Sequence, residues 1–224
     1  MLPDSHTLIV QPDPALARVL AARFAGHGHR ISLIGADRDQ LSGLSRQLGD
    51  AGIEAMHAAS LLTEPASLCE ALGKVQAAWG TPSVVVHLGA AHLAGRVRSL
   101  DAHGLGQAVG DSASGMVSLL QGVLPPMAAR GSGVILVAGH GSALDPLPHQ
   151  AGDGAIGAAV RAITLAAARD YERDGVHIAM LTINGEPADD GPFERGRIAE
   201  TLWDMAQEPS GLWSHERLYS GQRS

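Results

Sequence analysis

The stretch Gly80-Thr-Pro-Ser-Val-Val-Val-His-Leu-Gly-Ala90 decides the fold. Gly80 and Pro82 break regular structure before it, residues 83–88 form a short, almost continuous aliphatic run, and Gly89 closes it. A run of that length with no polar alternation reads as a strand buried on both faces, the setting of a parallel sheet. Similar runs recur on either side at residues 7–10, 30–34, 53–58, 133–137 and 177–183, and residues 216–219 add a short seventh. The segments between them carry apolar residues at helical spacing: Leu16, Val19, Leu20 and Phe24, then Leu41, Leu44 and Leu48, then Leu68, Leu72 and Val75. Strand and helix therefore alternate. Right-handed crossovers turn that alternation into an α/β, doubly wound parallel sheet of about seven strands with helices on both faces, whose ligand crevice lies beyond the carboxyl ends of the strands.

The 224 residues and 45% hydrophobic content suit one large domain, residues 1–224, with no linker or repeat. Three tryptophans, two tyrosines and two phenylalanines against 28 glycines imply a core of small and aliphatic side chains. A formal net charge of −7 without a basic run excludes the electrostatic footprint of a nucleic-acid or anionic-membrane binder, which leaves a small-molecule substrate as the expected partner. Residues 1–7, with Pro3, Asp4 and His6, lack the basic start of a secretory signal. The single cysteine, Cys69, excludes an internal disulfide, fits a cytoplasmic location, and is expected as a small core residue in a helical stretch. The longest helical stretch spans about residues 105–130, where Pro125 and Pro126 are expected to kink or end it.

The layout resembles the short-chain dehydrogenase/reductase family, and with it the Rossmann-like fold, over nearly the whole chain. Residues 80–90 are similar to that family's fourth strand and the turn after it. Residues 115–127, ending Leu124-Pro-Pro-Met127, resemble its next long helix, residues 133–137 its fifth strand, and residues 197–216 the tail of a subset. The resemblance implies a glycine-rich turn after strand one that brings backbone amides to a dinucleotide diphosphate. Here that turn is Val10-Gln-Pro-Asp-Pro-Ala-Leu-Ala17. Its glycines are absent, Pro12 and Pro14 lack amide hydrogens, and Asp13 places a negative charge beside the diphosphate position; Asp13 also suits an N-cap with Pro14 as the first helical residue. Asp37 and Arg38 stand where a ribose contact falls in the family, and equally suit a helix start; Ser60 stands near the adenine position.

The resemblance also implies a serine after strand five and a Tyr-x-x-x-Lys on the next helix. This chain aligns His140 with the serine, Asp153 with the tyrosine and Gly157 with the lysine, while Ser112 falls at the place of a helix-four asparagine. A histidine oriented by a carboxylate is a general base near neutrality, so His140 and Asp153, with His87 on the same rim, form the candidate catalytic group. Asp153 equally suits a helix cap. The expectation is a divergent member without a bound cofactor, performing lyase-, isomerase-, dehydratase- or cyclase-type proton transfer on a small uncharged substrate. A non-catalytic partner subunit and an atypical NAD- or NADP-dependent oxidoreductase are the alternatives. His87 and His92, five apart, do not form a helical metal pair, and no metal is expected. The acidic loop 185–196 disfavours an anionic substrate. The smooth helix bearing Gly154, Ala158, Ala162 and Ala166 is expected to pair copies into a homodimer or homotetramer through helices four and five.

Overall fold

Each strand run is buried on both sides because alternate side chains enter different layers. In β1 (His6–Val10), Leu8 and Val10 pack into one core while Ile9 enters the other. The same alternation sends Ile135 and Val137 of β5 (Gly133–His140) to the first core and Leu136 to the second. In the computed structural model, which describes residues 5–89 and 92–221, seven parallel strands lie in the order β3-β2-β1-β4-β5-β6-β7. The remaining strands are β2 (Arg30–Gly35), β3 (Ala55–Ala59), β4 (Val84–His87), β6 (Val176–Ile183) and β7 (Glu216–Tyr219).

One face carries α1 (Pro14–Ala25), α2 (Arg38–Asp50) and α6 (Arg195–Ala206), whose Leu20, Leu44 and Leu202 share a core. The other carries α3 (Pro65–Trp79), α4 (Ala102–Arg130) and α5 (Ala151–Tyr171), joined through Leu72, Leu119 and Val160. The chain winds outward from β1 to β3 and returns to β4 beside β1. That reversal leaves the helices on opposite faces and opens a crevice beyond the ends of β1 and β4, which places Gln11 and His87 at its floor.

Pro14 at the first helical position and the Asp13 carboxylate accepting the Leu16 amide at 2.9 Å start α1 as the sequence allows. An Asp13→Ala variant is expected to lose about 1 kcal/mol of stability through the missing cap, read as a lower denaturant midpoint with unchanged slope. Asp37 caps α2 in the same way, accepting the amides of Asp39 and Gln40. Two expectations are corrected. The helix α4 runs unbroken to Arg130 with Pro125 and Pro126 inside it, because Leu124 and Met127 are locked in the core on either side of them. Cys69 is exposed, since the buried stripe of α3 runs through Leu68, Ala71, Leu72 and Val75. Among the described residues no helix is long and apolar enough to cross a membrane.

Candidate functional site

Two adjoining clefts open along the carboxyl ends of the strands. The larger, about 540 Å³, lies beyond β1 and β2 and is lined by Gln11, Asp13, Asp37, Thr63, His87 and Ser112 among others. The smaller, about 270 Å³, lies beyond β4, β5 and β6 and contains His87, His140, Ser142, Asp153 and Glu186. His87 lines both.

The β1–α1 turn shapes the larger cleft. Gln11 has φ +49°, the one non-glycine residue with positive φ among the described residues. A side chain in that conformation costs on the order of 1 kcal/mol relative to glycine. It is held by the Gln11 amide donating to Ile34 O at 2.7 Å and by the packing of its side chain against Gly89, where a Cβ would stand 2.8 Å from Gln11 Cβ. Pro12 and Pro14 have no amide hydrogen, and the Leu16 amide is taken by Asp13. The Asp13 carboxylate itself lines the cleft. The turn therefore does not fit a dinucleotide's diphosphate in the way a glycine-rich turn does. The adenosine end fits better: Asp37 uses Oδ1 to cap α2, which leaves Oδ2 for a ribose hydroxyl.

The structure brings all three candidate residues, His87, His140 and Asp153, to the smaller cleft, with different partners for each. His87 is a floor residue, 4% exposed, and burial pushes its pKa down to about 4, so it is a neutral imidazole; its Nδ1 has no hydrogen-bond partner among the described residues. His140 ends β5. Its Nδ1 accepts the Ser142 amide at 3.1 Å and lies 3.0 Å from Ser142 Oγ, so the neutral ring carries its proton on Nε2, which faces Glu186 Oε1 at 3.3 Å. Asp153 Oδ1 accepts the Leu93 amide at 2.7 Å and pairs with His92 Nδ1 at 2.9 Å. Among the described residues no hydrogen bond or ion pair joins His140 to Asp153. Asp153 instead fastens the segment after β4 to the start of α5, a join reinforced by the Gly95 amide donating to His149 O at 2.7 Å. The turn residues 90 and 91, part of the resemblance, lie outside the described residues.

Sequence reasoning passed over two of these partners. Glu186 and His92 lie on loops, 46 and 61 positions from the residues they meet, and no periodic pattern ties them together. Among the described residues no group of three metal-ligating side chains is close enough to hold an ion. Trp203 packs on Phe24 with ring centroids 5.0 Å apart and stacks on His27, and Trp213 stacks on His177, so neither lines either cleft.

Residues 6–185 match the short chain dehydrogenase family. The chain is 28% identical over 193 residues to (2S)-[(R)-hydroxy(phenyl)methyl]succinyl-CoA dehydrogenase subunit BbsC of Thauera aromatica, covering 86% of this chain and 77% of that protein. Its fold is similar to an alcohol dehydrogenase from the archaeon Thermococcus sibiricus complexed with 5-hydroxy-NADP, with TM-score 0.80, 18% identity, and 98% and 99% of the two chains covered. It is similar again to a metagenomic short-chain oxidoreductase in complex with NADP, with TM-score 0.81, 18% identity and 97% of each chain covered. The family match, the dehydrogenase relative and the NADP complexes of these neighbours overturn two expectations: a cofactor-independent lyase-, isomerase-, dehydratase- or cyclase-type enzyme, and a protein without a dinucleotide cofactor. Those expectations rested on substitutions in the turn after β1 and at His140, Asp153 and Gly157, while a crevice beyond the strand ends is present in this fold. The chain belongs to the short-chain dehydrogenase family.

Proposed function

We propose that the protein is a subunit of a dehydrogenase of the short-chain type that uses NAD or NADP to oxidise an alcohol or reduce the matching carbonyl. The relative named as a dehydrogenase subunit, aligned over 86% of this chain, carries the reading. The whole chain acts as one domain in this reading, and the single cysteine fits work in a reducing cytoplasm.

The bound dinucleotide supplies the hydride acceptor or donor; the chain's own residues bind and orient. With Ser142 fixing the tautomer, His140 carries one N–H, on Nε2, which passes from Glu186 to a substrate oxygen when substrate binds. Asp153 is a positioning residue that holds the segment at Leu93 against α5. Nδ1 of His140 is already engaged by the Ser142 amide, and Asp153 Oδ1 by Leu93 and His92, which fits binding and positioning roles for the two residues. The family's tyrosine and lysine positions hold Asp153 and Gly157, and its glycine-rich turn holds Gln11, Pro12 and Asp13. This divergence supports a division of labour in which a second short-chain subunit, one retaining Tyr-x-x-x-Lys, supplies the proton relay. The α4–α5 face, with Ala158, Ala162 and Ala166 exposed, is where such a chain would dock.

The test is a dinucleotide-linked assay on this chain alone and co-expressed with a Tyr-x-x-x-Lys subunit, using secondary alcohols and hydroxyacyl thioesters. Turnover by the assembly that falls at least about 10²-fold when the second chain's tyrosine is changed to phenylalanine is expected, the usual size of a lost acid/base group. Equal turnover by this chain alone would contradict the division of labour.

A further inference from the structure

The smaller cleft is lined by Asp13, Asp153 and Glu186 and by no lysine or arginine among the described residues. At its floor His87, 4% exposed, is a neutral ring whose Nδ1 has no hydrogen-bond partner among the described residues. A buried imidazole without a partner is uncommon, because desolvating a polar group uncompensated is unfavourable. The ring lines the cleft, where a ligand can reach it.

We propose that this cleft binds a protonated organic amine, so that the substrate of the dehydrogenase, or the part of it this chain holds, carries an ammonium group; the assignment rests on reading the smaller cleft as the substrate side of the crevice. An ammonium is a donor-only group, and the cleft presents acceptors: the Asp153 oxygen not engaged by Leu93 and His92, the carboxylate of Glu186, and the lone pair of His87. A carboxylate or phosphate ligand would meet the same oxygens as repulsion, with no lysine or arginine among the described lining residues to offset them and with His92 and His140 already paired to Asp153 and Glu186. A volume of about 270 Å³ suits a ligand of one ring or a short chain. The aliphatic walls at Leu88, Val160 and Met180 would take its carbon skeleton.

The test is calorimetric titration of the full chain with benzylamine, benzyl alcohol and benzoate, three probes of one shape and different charge. Benzylamine is expected to bind about tenfold or more tighter than benzyl alcohol, with benzoate giving no saturation, and the preference should shrink as salt is added. In Asp153→Asn with Glu186→Gln, which keeps an oxygen for the Leu93 amide, the preference should fall to within about twofold. A thermal melt at the wild-type midpoint certifies the variant, and Glu186→Gln alone serves if the double variant does not fold. Equal affinity for the three probes, tighter binding of benzoate, no saturation by benzylamine, or an unchanged preference in the variant would each overturn the assignment. Binding needs neither dinucleotide nor a second subunit. Ammonium selectivity without dinucleotide-linked turnover by the assembly would remove the dehydrogenase reading and keep the ligand class; turnover of alcohols without ammonium selectivity would do the reverse.

Discussion

Thermal stability should fall steeply as the pH is lowered from about 6.5 towards 4, before most carboxylates titrate. His6 and His87 are the cause. Both are buried, His6 at 0% exposure and His87 at 4%, and burial pushes each pKa down from 6.5 to about 4. His6 has Nε2 against Ser32 Oγ at 2.6 Å, and a backbone contact with Gly80 offsets only part of the effect of burial. A histidine with a lowered folded pKa binds its proton more readily in the unfolded chain. The stability it contributes is complete above the unfolded value of 6.5 and is lost as pH falls through the window to about 4. Each group contributes on the order of 3 kcal/mol over that window. His29 and His177, also lowered by burial, act in the same direction. Melts across a pH series would show the slope, and His87→Phe, which breaks no hydrogen bond among the described residues, should remove about one proton's share of it. A midpoint that stays flat between neutrality and about pH 4.5 would contradict the assignment of neutral buried rings.

A Gly152→Val variant is expected to detach the segment after β4 from α5. A Cβ at Gly152 would stand 2.2 Å from Leu93 O and 3.0 Å from Leu93 Cγ, so the backbone itself must move. That movement breaks the 2.7 Å bond from the Leu93 amide to Asp153 and opens the bridge between Gly95 and Gln150. Overpacking of this kind costs about 1–3 kcal/mol, and the largely buried Asp153 carboxylate loses its orienting partner as well. Amide hydrogen exchange should show Leu93 and Gly95 losing protection while strands β1, β4 and β5 keep theirs. Asp153→Asn, which retains an acceptor for the Leu93 amide, should change protection far less. Wild-type protection in Gly152→Val would show that the segment is held by something other than this join.

The sheet was legible because buried parallel strands write themselves as short aliphatic runs. The β4 run at Val84–His87 and the β6 run at Val176–Ile183 match the reading closely, whereas β3 starts at Ala55 rather than residue 53, where Ile53 still packs but Glu54 interrupts the run. The caps of α1 and α2 were legible too, since Asp13 and Asp37 act within three residues of themselves. Pro125 and Pro126 were misread because local backbone preference was weighed without the burial of Leu124 and Met127 that outweighs it. Cys69 was misplaced because an alanine-rich helix gives little contrast between its faces.

For the site, residue positions came through and partners did not. Aligning His140 and Asp153 with neighbouring family positions put both beside one cleft, yet their hydrogen bonds go to Ser142 and Glu186 and to Leu93 and His92, contacts set by loop conformation. The inference from missing glycines to a missing cofactor failed for a different reason. One turn is not the whole of dinucleotide recognition, and the switch-point crevice is present in the fold.

The most direct measurement of the central claim is the appearance of reduced nicotinamide when this chain, co-purified with a Tyr-x-x-x-Lys subunit, is supplied with an oxidised dinucleotide and an alcohol. The account predicts turnover that requires both chains and the dinucleotide. Its absence with NAD and with NADP across secondary alcohols, amino alcohols and hydroxyacyl thioesters, in an assembly shown to be folded, would contradict it.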